Sequence, residues 1–234
     1  MGSARGKGTP TVLLFDVDGT LVSTGGAGGR ALRGALVAEG YPGEATFSYA
    51  GMTDRAIVRR HLTEASVETT EALIDEVLAR YLTLLTEEVA RTPADSYIVH
   101  EGMMEAIDEA QSRGGFAIGL GTGNVERGAR IKLGRVGASD RFAFGGFGCD
   151  AEDRAELIGV GAARGAKRLG APLEACRVVV IGDTPRDVAA ALANGAECLA
   201  VATGRYDVRS LSSAGATHVF ESFAEAGALA ALLG

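Results

Sequence analysis

The chain has 234 residues, 47% of them apolar and 23% charged, with a formal net charge of -7; such a composition buries a sizeable core and excludes a disordered chain and a general binder of nucleic-acid backbones. No run approaches the roughly 20 apolar residues of a membrane span, and no apolar leader has the length of a signal peptide, so a cytoplasmic enzyme without a nucleic-acid or membrane partner is expected. Three cysteines, Cys149, Cys176 and Cys198, odd in number and far apart, read as buried thiols of a reducing compartment.

Residues 1–10, rich in Gly, Ser, Arg and Lys, read as a mobile tail. The apolar run over residues 12–15 then delivers Asp16-Val17-Asp18-Gly19-Thr20, the end of a buried strand followed by an acidic loop. Side chains alternate along an extended segment, so Asp16 and Asp18 leave on one side and Val17 on the other. Gly19 and Thr20 turn the chain away. Two carboxylates this close repel unless a cation sits beside them or one carries a proton. A hard cation such as Mg²⁺ takes oxygen ligands and keeps waters and substrate phosphate in its shell, which leaves a second Asp free to move protons. A solvent-facing acidic turn has the same pattern, so the rest of the chain decides.

Residues 25–29, with four glycines, read as a flexible connector and suggest a hinge. Beyond them a helix is predicted over residues 30–39, stopped by Gly40, and another from Thr53-Asp54 to residue 62. Residues 67–88 carry Leu73, Ile74, Val77, Leu78, Tyr81, Leu82 and Leu85 at helical steps. No strand alternation intervenes, so residues 23–97 form an all-helical block closed near Pro93. The rhythm then changes. A helix over 102–112, a strand over 116–120, Gly121-Thr122-Gly123-Asn124 opening a helix, a weaker strand over 142–144 and a helix over 154–169 follow in turn. A strand over 178–181, a helix over 187–193, a strand over 199–202 and an Ala-rich closing helix over 223–233 complete the chain. Alternation of this kind predicts an α/β fold, a Rossmann-like parallel sheet core with helices on both faces from residues 1–22 and 98–234, plus an inserted all-α domain over 23–97. Ligands of such sheets bind beyond the carboxyl ends of the strands.

Three strand ends become comparable places. Thr122, with the amides of Gly123 and Asn124, can hold a phosphate oxygen or serve as a helix cap. In Gly182-Asp183-Thr184-Pro185-Arg186-Asp187, Pro185 suits a first helical turn, and Asp183 and Asp187 either cap it or face a metal. Acids gathered at neighbouring strand ends repel one another without a divalent ion, so Asp16, Asp18, Asp183 and Asp187 read as a metal site. A phosphorylated substrate also needs a cationic side chain there. Arg154, opening its helix, is the choice, with Arg164 and Lys167 behind it. His61, His100 and His218 lack ligand spacing.

These stations, in this order, resemble the haloacid dehalogenase-like hydrolase superfamily, and within it the phosphoglycolate phosphatase-like branch with a helical cap after the first strand. The resemblance covers nearly the whole chain: Asp16 to Thr20 fit the first family motif, the stretch around Thr122 the second, and Asp183 to Asp187 the fourth. It implies that Asp16 is the nucleophile, Asp18 the general acid and base, Thr122 a phosphate ligand and Asp183 a metal ligand supported by Asp187. At the third motif, where the family usually has Lys, this chain has Arg154; Arg keeps the charge with a different geometry. Gly51-Met52-Thr53-Asp54 resembles the specificity surface of such caps, which makes Thr53 and Asp54 candidate substrate contacts.

The implied function is Mg²⁺-dependent hydrolysis of a small phosphate monoester, phosphoglycolate-like or another phosphometabolite, through an aspartyl-phosphate, under a cap that closes on its connectors. A sugar-phosphate mutase shares the whole core and is the alternative; a non-catalytic phosphate-sensing module is a third, disfavoured by the inserted helical block. Dehalogenation has no use for the proton chemistry of Asp18, and a phosphonate-cleaving cap needs a Schiff-base Lys, of which residues 22–93 contain none. Arg30, Arg33, Arg55, Arg59 and Arg60 could meet a second anionic group, although surface arginines are ordinarily solvated. Oligomeric state leaves no mark in the sequence.

Overall fold

The structure, a computed structural model, describes residues 8–234; most of the expected tail lies outside them. Strand β1 (Thr11–Phe15) is buried along its whole length because it is paired on both sides. It runs parallel to β4 (Phe116–Thr122) on one side and β6 (Arg177–Gly182) on the other, with Phe15 level with Leu120 and Ile181. That register brings Asp16, Thr122 and Asp183 to one edge of the sheet. With β5 (Gly145–Phe147), β7 (Glu197–Val201) and β8 (His218–Phe220) the sheet has the order β5-β4-β1-β6-β7-β8, all parallel.

Both faces of the sheet are covered, which explains strands apolar at every position. On one face Val12, Leu14 and Val180 pack with Leu157, Ile158 and Val188 of α6 (Arg154–Leu169) and α7 (Pro185–Ala193). On the other, Leu13, Phe15 and Ile181 join Met103 and Ile107 of α4 (Met103–Arg113) and Ala129 and Leu133 of α5 (Glu126–Gly134). The helical insertion adds α1 (Ala27–Ala38), α2 (Asp54–Glu64) and α3 (Glu71–Arg91). Its apolar stripe, Ile74, Val77, Leu78, Tyr81 and Leu85, is buried in the same cluster as α5, so the block is docked on the core. The chain enters and leaves it through an antiparallel ribbon of β2 (Val22–Ser23) and β3 (Ile98–Val99), where Ser23 Oγ and His100 Nε2 are 3.0 Å apart.

The structure corrects several expectations. The glycine connector is not free chain: Gly26 (φ 81) caps α1, and Gly28 and Gly29 already belong to its first turn. The strand expected over 142–144 lies at β5, three residues on. Its glycines carry no strand signal but are required, since a Cβ on Gly146 would sit 1.8 Å from the Leu157 carbonyl oxygen of α6. Two short elements, α8 (Val208–Ser213) and β8, were not foreseen, and the closing helix shrinks to α9 (Ala228–Leu233). Of the cysteines only Cys198 is buried; Cys149 is exposed and Cys176 partly so. Among the described residues no helix is long and apolar enough to cross a membrane.

Candidate active site

Asp16 follows β1 directly, and its N–H still donates to the Ile181 carbonyl at 2.8 Å, so sheet pairing holds its backbone rigid. Arg154, first residue of α6, is positioned by a strong cap: the Asp153 carboxylate accepts from the amides of Ala155 and Glu156. Its guanidinium lies 3.0 Å from Asp16 Oδ2 and donates to Asp187 Oδ1 through Nε at 2.9 Å and Nη2 at 2.5 Å. Asp187 in turn completes the capping box of α7, its Oδ2 accepting from the Thr184 amide at 3.0 Å and hydroxyl at 2.7 Å. Asp183 accepts from the Thr20 hydroxyl at 3.3 Å. Asp183 is also walled in by backbone, since a Cβ on Gly19 or Gly204 would lie 2.4 or 1.7 Å from its Oδ2.

Asp16, Asp183 and Asp187 thus each offer a carboxylate oxygen within 4.8 Å of the others, all buried. Burial pushes Asp16 up to about 6 against the pull of Arg154. Burial and then the charges of Asp187 and Asp16 push Asp183 up to about 8. One arginine does not satisfy three acids. A buried all-oxygen donor set that is short of positive charge fits a hard divalent cation.

The Asp18 carboxylate is not among the three. Its Oδ2 accepts from Lys132 Nζ at 2.6 Å and Asn124 Nδ2 at 2.8 Å, while Lys132 also donates to Asn124 Oδ1 at 2.6 Å. Lys132 is the residue that the sequence reading missed. It comes from α5 and is 3% exposed; burial disfavours its charge, but Asp18 and Asp54 outweigh that and raise its pKa. The available signal was periodicity: Lys132 shares the buried face of α5 with Gly128, Ala129 and Leu133.

Thr122, fully buried, accepts on its Oγ1 from the amide of Asn124 at 3.3 Å and its Nδ2 at 2.8 Å, and its own hydroxyl hydrogen is directed at the Asp16 carboxylate, whose charged form it favours. The N-cap of α5 is Val125, so Gly123 and Asn124 precede the helix instead of opening it. Gly123 meets the insertion: its carbonyl accepts from the Asp54 amide at 2.8 Å, and a Cβ there would stand 2.3 Å from the Met52 carbonyl oxygen. Asp54 Oδ2 accepts from the Val125 amide at 2.9 Å, and burial pushes its pKa up to about 6 although Lys132 opposes this. Thr53 caps α2 through the Ala56 amide and donates to the Glu152 carbonyl. Its hydroxyl is thereby engaged at the junction, and the residue does not line the main cavity.

That cavity, about 320 Å³, is lined from the sheet edge by Asp16, Asp18, Asp183 and Arg154, and from the insertion by Gly28, Tyr49, Asp54, Ile57 and Tyr81. Arg164 instead binds Asp150, and Lys167 is exposed. Four of the insertion arginines pair elsewhere: Arg30 with Glu88, Arg55 with Glu71 and Asp75, Arg59 with Glu152 and Arg60 with Glu64. Arg33 is exposed and, like them, does not line the cavity.

A parallel α/β sheet that gathers three buried acids and an arginine beyond its strand ends places them where enzymes with such sheets bind their ligands. Residues 10–195 match the model of the haloacid dehalogenase-like hydrolases. The chain belongs to that family and is a hydrolase-class enzyme. Solved structures agree on the fold. CbbY from Rhodobacter sphaeroides in complex with phosphate superposes with a TM-score of 0.70 at 20% identity, covering 92% of this chain and 96% of that one. A hydrolase from Pseudomonas syringae gives 0.69 at 24% identity, with 91% and 94% covered. The β-phosphoglucomutase of Clostridium difficile gives 0.69 at 18%, with 92% and 91% covered. No curated protein sequence matches the chain.

Proposed function

We propose that the protein is a Mg²⁺-dependent phosphatase of a small phosphate monoester, with residues 23–97 as a cap domain over a core of residues 1–22 and 98–234. The observation that carries this reading is Asp16 itself, a buried carboxylate on a rigid strand end that faces Arg154 and shares a cavity with Asp18. An Asp16 oxygen attacks phosphorus while the bond to the leaving alcohol breaks, and protonated Asp18 gives its proton to that oxygen. Asp18 then takes a proton from water, which attacks the aspartyl-phosphate; the phosphorus bond to Asp16 breaks and orthophosphate leaves.

Arg154 holds non-bridging phosphate oxygens, and the Thr122 hydroxyl, which faces Asp16, turns to donate to another. Mg²⁺, held by Asp16 and Asp183 with Asp187 in support, supplies when bound the charge neutralisation that lets one anion approach another. Asp18 would meet the metal through its backbone carbonyl, since its carboxylate stands outside the cluster of Asp16, Asp183 and Asp187 and its Oδ2 is held by Lys132 and Asn124. Acceleration over uncatalysed monoester hydrolysis can reach about 10²¹, so positioning and charge compensation must both contribute.

The likeness to a β-phosphoglucomutase supports a second reading, transfer of the phosphoryl group between hydroxyls of one sugar. Release of free orthophosphate separates the two. Asp16→Asn is expected to lower Mg²⁺-supported hydrolysis of an aryl phosphate by a factor of about 10³ or more with the fold retained. Undiminished turnover in that variant would remove Asp16 as nucleophile.

A further inference from the structure

The half of the cavity beneath the insertion has an unusual balance of charge and hydrogen-bonding groups. Lys132 is its one buried ammonium among the described residues, and Asp18 already accepts from it. Asp54, 8% exposed, adds a further carboxylate whose Oδ1 has no hydrogen-bond partner among the described residues. Set against Lys132, Asp18 and Asp54 leave this half without net positive charge, whether or not Asp18 holds the proton that it gives to the leaving alcohol. Arg154, the other buried cation on the wall, is held between Asp16 and Asp187. Arg205, exposed at the mouth, is hydrogen-bonded to Ser48. A second carboxylate or phosphate would therefore find no buried cation free of a carboxylate partner, and only the solvent-exposed Arg205 at the mouth.

Hydroxyl groups, by contrast, have partners waiting. Tyr81 is 1% exposed and lines the cavity, yet its hydroxyl makes no hydrogen bond among the described residues. It sits close to Lys132 where α1 passes without a side chain: a Cβ on Gly28 would lie 3.2 Å from Lys132 Nζ and 3.9 Å from Tyr81 Oη. Two of the three ammonium N–H groups are committed, to Asp18 and Asn124, which leaves one. The Tyr81 hydroxyl, that N–H and Asp54 Oδ1 together offer donors and acceptors without net positive charge. The cavity of about 320 Å³ holds the volume share of about ten waters, enough for a phosphate and a few carbons.

We propose that the leaving group is a compact, uncharged alcohol bearing at least one further hydroxyl, read by Tyr81, and that esters with a second anionic group are rejected. This deepens the phosphatase reading and rests on it. The test compares three esters of one carbon skeleton, glycerol 3-phosphate, n-propyl phosphate and 3-phosphoglycerate, with p-nitrophenyl phosphate as control, on the intact enzyme with Mg²⁺. The value of kcat/KM for glycerol 3-phosphate is expected to exceed those of both other alkyl esters by about tenfold or more. Tyr81→Phe should bring glycerol 3-phosphate down towards n-propyl phosphate. Asp54→Asn should narrow the gap to 3-phosphoglycerate while keeping an oxygen for the Val125 amide. Equal or better use of 3-phosphoglycerate, or a hydroxyl preference that survives Tyr81→Phe, overturns the proposal. Turnover of the aryl ester in the same assays leaves the phosphatase reading standing in that case, whereas inactivity on all four esters overturns both.

Discussion

Asp183, with its acidity displaced to about 8, and Asp16, at about 6, make the metal-free site a source of pH-dependent instability. Both folded values lie above the ordinary 3.8. The folded chain without metal therefore keeps protons that the unfolded chain releases, and stability falls as pH rises from about 4 to about 8. A divalent ion requires the deprotonated oxygens, so its stabilising effect grows through the same window. The rise in Tm on adding Mg²⁺ is expected to be small near about pH 5.5 and several degrees larger near about pH 8.5. A shift independent of pH, read by scanning calorimetry, would take the metal away from these acids. At this scale much of the site was legible in the sequence, because each strand-end acid or hydroxyl follows its own apolar run. Lys132 was legible only as a member of the buried face of α5; that this face turns its ammonium to Asp18 depends on how α5 is rotated and on the missing side chain of Gly28. Thr53 was a candidate substrate contact by resemblance to the specificity surface of family caps; in the structure its hydroxyl caps α2 and donates to the Glu152 carbonyl.

The elements divide along similar lines. Helix α6 was readable to the residue, from Arg154 to Leu169, because Asp153 caps its start and Gly170 in the left-handed region ends it. Strand β5 escaped because tertiary contact, not propensity, selects it: Gly145 and Gly146 are there to let α6 and β4 approach. Gly146→Ala should consequently destabilise the protein by about 1–3 kcal/mol or more, as over-packing of a close contact does, seen as a lower denaturant midpoint with unchanged m-value. A neutral result would mean that β5 and α6 are less tightly apposed than they stand here. The first turn of α1 escaped for a related reason. Glycines usually mark loops, but Gly28 is placed where a helix must pass over an ammonium and a phenol.

For the whole molecule, the proposed role as a cap requires the insertion to part from the sheet edge when a substrate enters. Its apolar stripe is shared with α5, and Arg135 of the core donates from Nη2 to the Thr92 carbonyl at 2.5 Å, so this side is a firm contact. The opposite side is polar: Arg59 binds Glu152 at 2.6 Å, with both side chains about a third exposed. Such a pair contributes about 1 kcal/mol or less to stability. Glu152→Gln is expected to leave Tm nearly unchanged while speeding amide exchange at the start of α2 and raising KM. Unaltered exchange there would show that the polar side is not where the block opens. The β2 and β3 ribbon has a consequence of a different kind. Because the outgoing and returning chains lie side by side at Val22 and Val99, the insertion joins the chain path at one place, although it also packs on α5. A change in its length or sequence away from that packed face leaves the register of the strands beneath it alone. Descendants of such a chain are free to change their diet while inheriting the same reaction.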